Sequence, residues 1–254
     1  MDIIVSDLTD QTAVTTLAEN LFTSRSFSDY THVAFINNAQ SIQPIGTVDM
    51  GMDIDELSRS IQLNVTAPMY LTSECMRTLK DATRAPLRAV IVNISNLWAT
   101  EGAASFGVFS ASKAAMEMYY EVLAKETRDG TTPSSIKVLN YSPGPVDCTL
   151  QDEIRNSPKS DPDWRKSCCQ MKEEGTLIHP DKSARKCALL IIQELFDSGD
   201  HIDYYDQIEG VDYIRKVITT CCSNPNCQCG VNCRCSKDNG PQCGGCQSFM
   251  LHNR

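Results

Sequence analysis

The sequence predicts a doubly wound α/β domain over residues 1–217, followed at 218–254 by a short Cys-rich tail without regular secondary structure. Three observations lead there. Short apolar runs alternate with stretches of helical periodicity, the pattern of a parallel sheet covered by helices on both faces. The 254 residues are enough for one large core. Of the 13 cysteines, eight crowd into the last part of the chain, among almost no apolar residues, so that stretch has no means of building a core of its own.

The elements follow in order. Ile3–Val5 reads as a short strand. Val14, Leu17, Ala18, Leu21 and Phe22 recur at helical spacing behind Thr9 and Asp10, either of which can cap the start. His32–Ile36 is a strand ending in the polar pair Asn37 and Asn38. Ile54, Leu57, Ile61 and Val65, continued by Leu71, Cys75 and Leu79, predict one long helix. Ala89–Ile94 reads as a buried strand, Lys113–Arg128 as a helix and Ile136–Tyr141 as a strand. Asp147–Asp163, polar and carrying Pro158 and Pro162, reads as a long surface loop. Ala184–Phe196 is a periodic helix stopped near Gly199, and His201–Tyr205 is the last strand. In such sheets the ligand site lies beyond the carboxyl ends of the strands.

Composition removes several functions. The chain is 41% hydrophobic, with no apolar run approaching the roughly 20 residues of a membrane helix. Its 32 acidic against 23 basic residues give a net charge of −9, the wrong sign for a surface built to hold a phosphate backbone. No membrane and no nucleic acid are therefore expected as partners. The opening M-D-I-I-V-S-D-L-T-D lacks the basic and apolar regions of a secretory signal. A reducing, cytoplasmic setting is the expectation, where clustered cysteines mean metal or redox chemistry before disulfides.

Several motifs occur in a telling order: Asn37-Asn38-Ala39-Gln40, Asn64 in L-N-V-T, V-N-I-S-N-L, F-S-A-S-K with Phe109 and Lys113, and S-P-G-P-V-D. As a set, from Ile3 to Asp206, they resemble the short-chain dehydrogenase/reductase family. L-N-Y-S-P-G-P-V-D at Leu139–Asp147, D-P-D-W-R-K at Asp161–Lys166 and G-D-H-I-D-Y-Y-D at Gly199–Asp206 narrow the resemblance to its sepiapterin reductase branch. The resemblance implies a Rossmann-type sheet, NADP as cofactor with its reduced form NADPH as hydride donor, a small pterin-like substrate and a homo-oligomer formed through the Lys113 helix. It implies cofactor contacts at Asp7, Leu8, Asn38, Ala39, Lys113, Pro143, Gly144 and Val146, and a relay water organised by Asn64. It implies that Asp203 anchors the amino-pyrimidine edge of the pterin, for which a carboxylate accepting two parallel N–H bonds is well suited.

The departures concern the chemistry. The family's acid is a tyrosine, and Phe109, which has no proton to give, stands in its place. Counting 13 residues back lands on Asn96 where the family has serine; Ser95 is one place early and faces the other way. Asn96 can donate to a carbonyl but cannot replace the acid. Tyr119 and Tyr120 lie about 15 Å further along the helix. Loss of a positioned acid commonly costs about 10²- to 10⁴-fold, so the set Asn64, Asn96, Phe109 and Lys113 predicts weak or absent turnover. The first glycine is Gly46, so no glycine-rich phosphate turn precedes it. I-I-V-S-D-L aligns with the family's third strand, and the expected sheet lacks the first βαβ strands. The third strand then either re-pairs against the fourth or leaves a compromised domain, and an incomplete gene start stands beside a genuinely short protein.

The tail carries Cys221, Cys222, Cys227, Cys229, Cys233, Cys235, Cys243 and Cys246. Its C-x-C-G-x-x-C-x-C segment resembles metallothioneins. Thiolates two residues apart hold or bridge soft ions, here Zn²⁺ or Cu(I), and adjacent thiols are poorly placed for disulfides with one another. A reactive thiol tail is the other reading, and His252 is a further ligand or an exposed terminal residue. If the metal reading dominates, the protein is a metal buffer on a non-catalytic scaffold. Cys168 and Cys169, adjacent in a polar loop, read as incidental, His179 before Pro180 as part of a helix entry, and His201 as structural.

Overall fold

The computed structural model describes residues 3–23, 27, 30–81, 87–128 and 135–208. Strands β1 (His32–Asn37), β2 (Arg88–Ile94), β3 (Ser135–Ser142) and β4 (His201–Asp203) form one parallel sheet in the order β1-β2-β3-β4. Helix α1 (Gln11–Ala18) starts on Asp10, whose carboxylate accepts from the N–H groups of Thr12 and Ala13 and so satisfies two donors that have no helical partner.

Alternation puts Val33 and Phe35 of β1, Ala89 and Ile91 of β2, and Ile136 and Val138 of β3 on one face. There they meet α1, the π-helical turn Glu19–Thr23 that continues it, α3 (Ala67–Asp81) and α4 (Gly107–Glu126) through Val14, Phe22, Leu71, Cys75, Leu79, Met116 and Tyr120. On the other face the Tyr141 hydroxyl donates to the carbonyl of Ser183 in α7 (Pro180–Gln193) at 3.0 Å. Helices therefore cover both faces, as the alternation of elements requires. The outer edge of β1 has no strand beside it among the described residues, and Ile36 there is 47% exposed.

Several expectations are corrected. Ile3–Val5 is not a strand: Ile3 and Val5 are 76% and 92% exposed, and an extended segment without a ladder neighbour gains nothing from strand geometry. The long helix is interrupted. α2 (Ile54–Ile61) passes into a π-helical turn, Gln62–Thr66, in which the N–H of Ala67 reaches the carbonyl of Gln62. Pro68 follows in α3 and has no N–H for the carbonyl four residues back, so the helix widens by one residue there.

The stretch 147–163 is not a loop. It holds α5 (Thr149–Asn156) and the start of α6 (Pro162–Glu173). Asp161 caps α6, and Pro162 sits in its first turn, where a missing N–H costs nothing. Cys168 and Cys169 thus lie on a helix. α7 ends before Gly199, at Gln193, with Glu194 in the left-handed region at φ 51°. The Lys137 ammonium takes up the freed carbonyls of Glu194 and Phe196 at 3.2 and 3.0 Å. The last strand closes at Asp203, and Tyr204 and Tyr205 belong to a turn. The expected boundary at 217, the tail's expected lack of regular structure, its eight cysteines and His252 fall outside the described residues.

Candidate active site

The site is built on the carboxyl ends of the strands. Register aligns Asn37, Asn93, Asn140 and His201 across the four strands, and one step on Ser142 lies beside Asp203. The backbone N–H of Ser95, just past β2, extends this ladder to the carbonyl of Tyr141 at 2.8 Å. With period-two alternation these residues share the face beneath α4. Asn37 Nδ2 donates to Thr72 at 2.9 Å and to the Tyr120 hydroxyl, Asn93 Nδ2 to Asn140 Oδ1 at 2.9 Å, and Ser142 Oγ to Asp203 Oδ2 at 2.7 Å. This polar layer was not singled out from the sequence, although its signal is there: three strand runs end or nearly end in asparagine.

Helix α4 presents Phe109, Lys113 and Glu117 at successive turns. Lys113 is 6% exposed, and its Nζ donates to the Ile94 carbonyl at 2.7 Å. Burial pulls its pKa down to about 8, against the opposing pull of Glu117. Phe109 is fully buried, edge-on to Trp98 at 6.1 Å; Trp98 stacks on Phe106 at 4.5 Å and meets Trp164 of α6 at 5.1 Å. Where the resemblance requires a phenol there is a closed aromatic cluster.

Asn96 turns its side-chain oxygen back to accept from the N–H of Trp98 at 2.9 Å, capping a short 3-10 turn. Ser95 points under α4 instead, and its hydroxyl donates to Glu117 Oε1. Tyr120 is bound to Asn37 and Thr72 in the core, where burial raises its pKa far above the ordinary phenol range. It has no access to a ligand at the strand ends.

Asn64 sits in the π-helical turn, buried. Its Oδ1 accepts from the N–H of Ser41 at 2.9 Å, and its Nδ2 donates to the Ser41 carbonyl at 2.8 Å and to Ser60 Oγ at 3.3 Å. It thereby fixes the segment leaving β1, on which Asn38 and Ala39 are exposed. Asp7 is exposed and accepts from the N–H and hydroxyl of Thr9 at 2.9 and 2.8 Å, which lowers its pKa; Leu8 packs against the main core.

Past β3, Pro143 accepts at its carbonyl from Ser183 Oγ at 2.9 Å. Gly144 has φ 71°, and a Cβ there would lie 2.5 Å from Ile178 Cδ1, so both backbone and packing require glycine. Val146 pairs with Ile178 in an isolated bridge.

Asp203 is held from several sides. Beside the Ser142 contact, its Oδ1 accepts from the N–H of Tyr205 at 2.9 Å. The Lys186 ammonium binds the carbonyls of Asp203 and Tyr204 at 3.2 and 2.9 Å, and that of Asp206. At the head of β4, His201 Nδ1 lies 2.8 Å from Glu117 Oε1. That bond, followed by the charges of Glu117, Asp203 and Asp206, raises the imidazole pKa against the effect of burial.

The fold thus brings Lys113, Ser95, Glu117 and His201 together beneath α4, and sets Asn38–Ala39 and Pro143–Gly144 on either side of the end of β2. It keeps Phe109 and Asn96 in the aromatic end. Among the described residues no group of three or more His, Cys, Asp or Glu side chains is placed to hold a metal, and no helix is long and apolar enough to cross a membrane.

Comparison with known proteins gives consistent results. The short chain dehydrogenase family profile matches residues 1–159. A sepiapterin reductase of Bos taurus is 36% identical over 177 residues, 69% of this chain and 62% of that protein. One of Mus musculus is 35% identical over 175 residues, 67% of this chain and 62% of its own length. The chain therefore spans less than two thirds of these relatives. A benzil reductase of Bacillus cereus is 26% identical over 196 residues, 77% of this chain and 76% of its own. Among solved structures, a short chain dehydrogenase/reductase of Saccharomyces cerevisiae superposes with a TM-score of 0.67 at 21% identity, over 80% of this chain and 76% of its own. The aldohexose dehydrogenase of Thermoplasma acidophilum gives 0.61 at 21% identity, over 80% of this chain and 76% of that one.

Proposed function

The chain belongs to the short-chain dehydrogenase/reductase family, and on that premise we propose that it is an NADP-dependent carbonyl reductase of the pteridine type whose turnover is weak or absent. The observation that carries this reading is Phe109, fully buried in an aromatic cluster at the position of the acid. The sepiapterin reductases among its relatives and the pre-oriented carboxylate of Asp203 support a small planar carbonyl substrate bearing N–H donors.

NADPH, when bound, would supply the hydride. The residues fit it in part. Asn38, Ala39, Pro143, Gly144, Val146 and Lys113 gather at the strand ends, the place for a nicotinamide and its ribose. No glycine-rich turn among the described residues cradles a pyrophosphate, and Asp7 and Leu8 stand on a segment outside the sheet. Asn64 holds the β1 exit and Lys113 braces the end of β2, while no group in the aromatic end moves a proton.

The test is turnover of sepiapterin with NADPH by the full chain, followed as loss of NADPH absorbance, together with native mass spectrometry for the NADPH adduct. An adduct with turnover at least about 10²-fold below that of a sepiapterin reductase assayed alongside is expected. Comparable turnover overturns the attenuation, and the absence of any adduct overturns the cofactor reading.

A second reading rests on the eight-cysteine tail. We infer that Cys221, Cys222, Cys227, Cys229, Cys233, Cys235, Cys243 and Cys246 bind Zn²⁺ or Cu(I) as thiolates. The same spectra report it. Metal bound without an NADPH adduct favours a metal-buffering protein on a non-catalytic scaffold, and loss of the metal on deleting residues 221–254 assigns it to the tail. Exposed Tyr70 on α3 and Met118 and Val122 on α4 offer an apolar surface for self-association.

A further inference from the structure

The contact between α4 and β4 goes beyond holding the sheet together. β4 is three residues long and pairs with β3 only at Asn140–Ser142. Its far end is gripped by Lys186 through three carbonyls. Its near end, His201, is held from α4 by Glu117, whose single oxygen Oε1 takes both the imidazole at 2.8 Å and the Ser95 hydroxyl. The order of groups matters. The carboxylate sits between hydroxyl and imidazole, so the imidazole cannot take the proton of Ser95, and this is no nucleophile-activating triad. It is a junction of three elements: the end of β2, the middle of α4 and the head of β4.

We propose that Glu117 is a positioning residue that ties β4, and with it the Asp203 carboxylate, to α4 and β2, and that His201 makes this tie depend on pH. The inference rests on the reading of Asp203 as ligand anchor. His201 and Asp203 stand two positions apart with only Ile202 between them, and alternation puts both on the face under α4, so a shift of the strand head is passed directly to the carboxylate. The Glu117 side chain is 16% exposed and that of His201 33% exposed, so the bond is shielded yet reachable by protons from solvent. The charged groups around His201 are Glu117 from α4 and Asp203 and Asp206 from its own segment. Lys113 stands one turn from Glu117 on α4, while the end of β2 presents Asn93 and Ser95 and β3 presents Asn140 and Ser142, all uncharged.

The sign follows from this surrounding. A pKa raised in the folded state means the charge-assisted part of the tie is fully present below the ordinary imidazole value of 6.5 and is lost as pH rises through the raised value. Above it, neutral His201 still donates one N–H to Glu117 but no longer neutralises it.

The test is amide hydrogen exchange across 200–206 in the full chain, corrected for intrinsic rates, with imidazole resonances read in parallel. The reporter is the N–H of Tyr204, bonded to the Ser142 carbonyl at 2.8 Å. In the wild type its protection is expected to fall about tenfold through the His201 titration, the ratio that an ordinary charge-assisted hydrogen bond supports. Glu117→Gln is expected to start lower, to show no step, and to titrate His201 lower. His201→Gln keeps a neutral donor and is expected to show intermediate protection at every pH. A wild-type pH step surviving in either variant, or no step in the wild type, overturns the proposal. Biopterin binding by fluorescence separates this from the anchor reading. With the exchange pattern as expected and no biopterin bound, the tie stands and Asp203 as anchor fails. With biopterin bound and exchange unchanged by Glu117→Gln, the anchor stands and the tie fails.

Discussion

The two ends of the site are made of opposite materials. At the Asp203 end polar groups orient one another: Ser142 and the Tyr205 amide fix the carboxylate, and Lys186 fixes the backbone that carries it. At the Phe109 end Trp98, Phe106, Phe109 and Trp164 pack ring against ring and offer no proton. The Asp203 end, the proposed anchor, has the preorganisation that recognition needs. The other end has the close packing of a core, where a filled space is worth more than a group aimed at a ligand. On the proposed reading, recognition and proton transfer in one site are separable, since they rest on different elements: β3, β4 and α7 for one, α4, α6 and the turn after β2 for the other.

The largest test of this contrast is Trp98→Ala. If the aromatic end is core, removing the ring that touches Phe106, Phe109 and Trp164 leaves a cavity and is expected to cost about 3–5 kcal/mol, read as a lowered denaturant midpoint. A loss well under 1 kcal/mol would make these rings the wall of an open pocket.

Asp203→Asn probes the other end. It is expected to weaken biopterin binding about 10- to 100-fold, as removal of a charged hydrogen-bond acceptor does, with little change in the unfolding midpoint. Equal loss of stability and binding would show that Asp203 serves the fold, and the contrast between the ends would dissolve.

Phe109→Tyr asks whether the closed end lacks only an atom. The new hydroxyl enters a cluster of Trp98, Ile42, Phe106 and Ile154, and an unpaired buried hydroxyl costs about 1–3 kcal/mol. That loss, with turnover rising less than about 10²-fold, is the expected outcome. A neutral variant with a larger gain would mean that the Lys113 ammonium, 5.5 Å from the ring centroid, donates to the phenol oxygen and that the site needed nothing else.

Much of this was legible in the sequence. The strands at β1, β2 and β3 and the helices α1 and α7 follow from apolar periodicity, because burial against a sheet imposes it; the body of α4 follows too, but the helix starts at Gly107, six residues before the expected Lys113, and ends at Glu126. Asn64, Phe109, Lys113 and Asp203 were named from motif order. What escaped depends on contacts between distant segments. Ile3–Val5 has a strand's composition but no neighbour to pair with. α5 and α6 are polar helices whose few inward residues, Ile154 and Cys168, make no clear stripe, although D-P-D-W carried both a cap and a first-turn proline. The π-helical turn needed the consequence of Pro68 to be followed back four residues. Glu117 carries no motif, and its meeting with His201 spans 84 residues.

The smallest effect is electrostatic and lies between the two ends, at Lys113. Its folded pKa of about 8 stands below the ordinary 10.5, so over that interval the unfolded chain binds the extra proton and stability rises with pH. The interval is cut short. The buried thiols of Cys75 and Cys187 have folded pKa values raised from 9.0 to about 12; from 9.0 upward they ionise only in the unfolded chain, and stability falls. The expected profile is therefore a shallow rise between about 8 and 9 followed by a decline, read from unfolding midpoints at constant ionic strength. In Lys113→Met the rise disappears and the decline remains. If both profiles rise alike, another group titrates there, and the lysine braced on the Ile94 carbonyl is a solvated cation belonging to neither end.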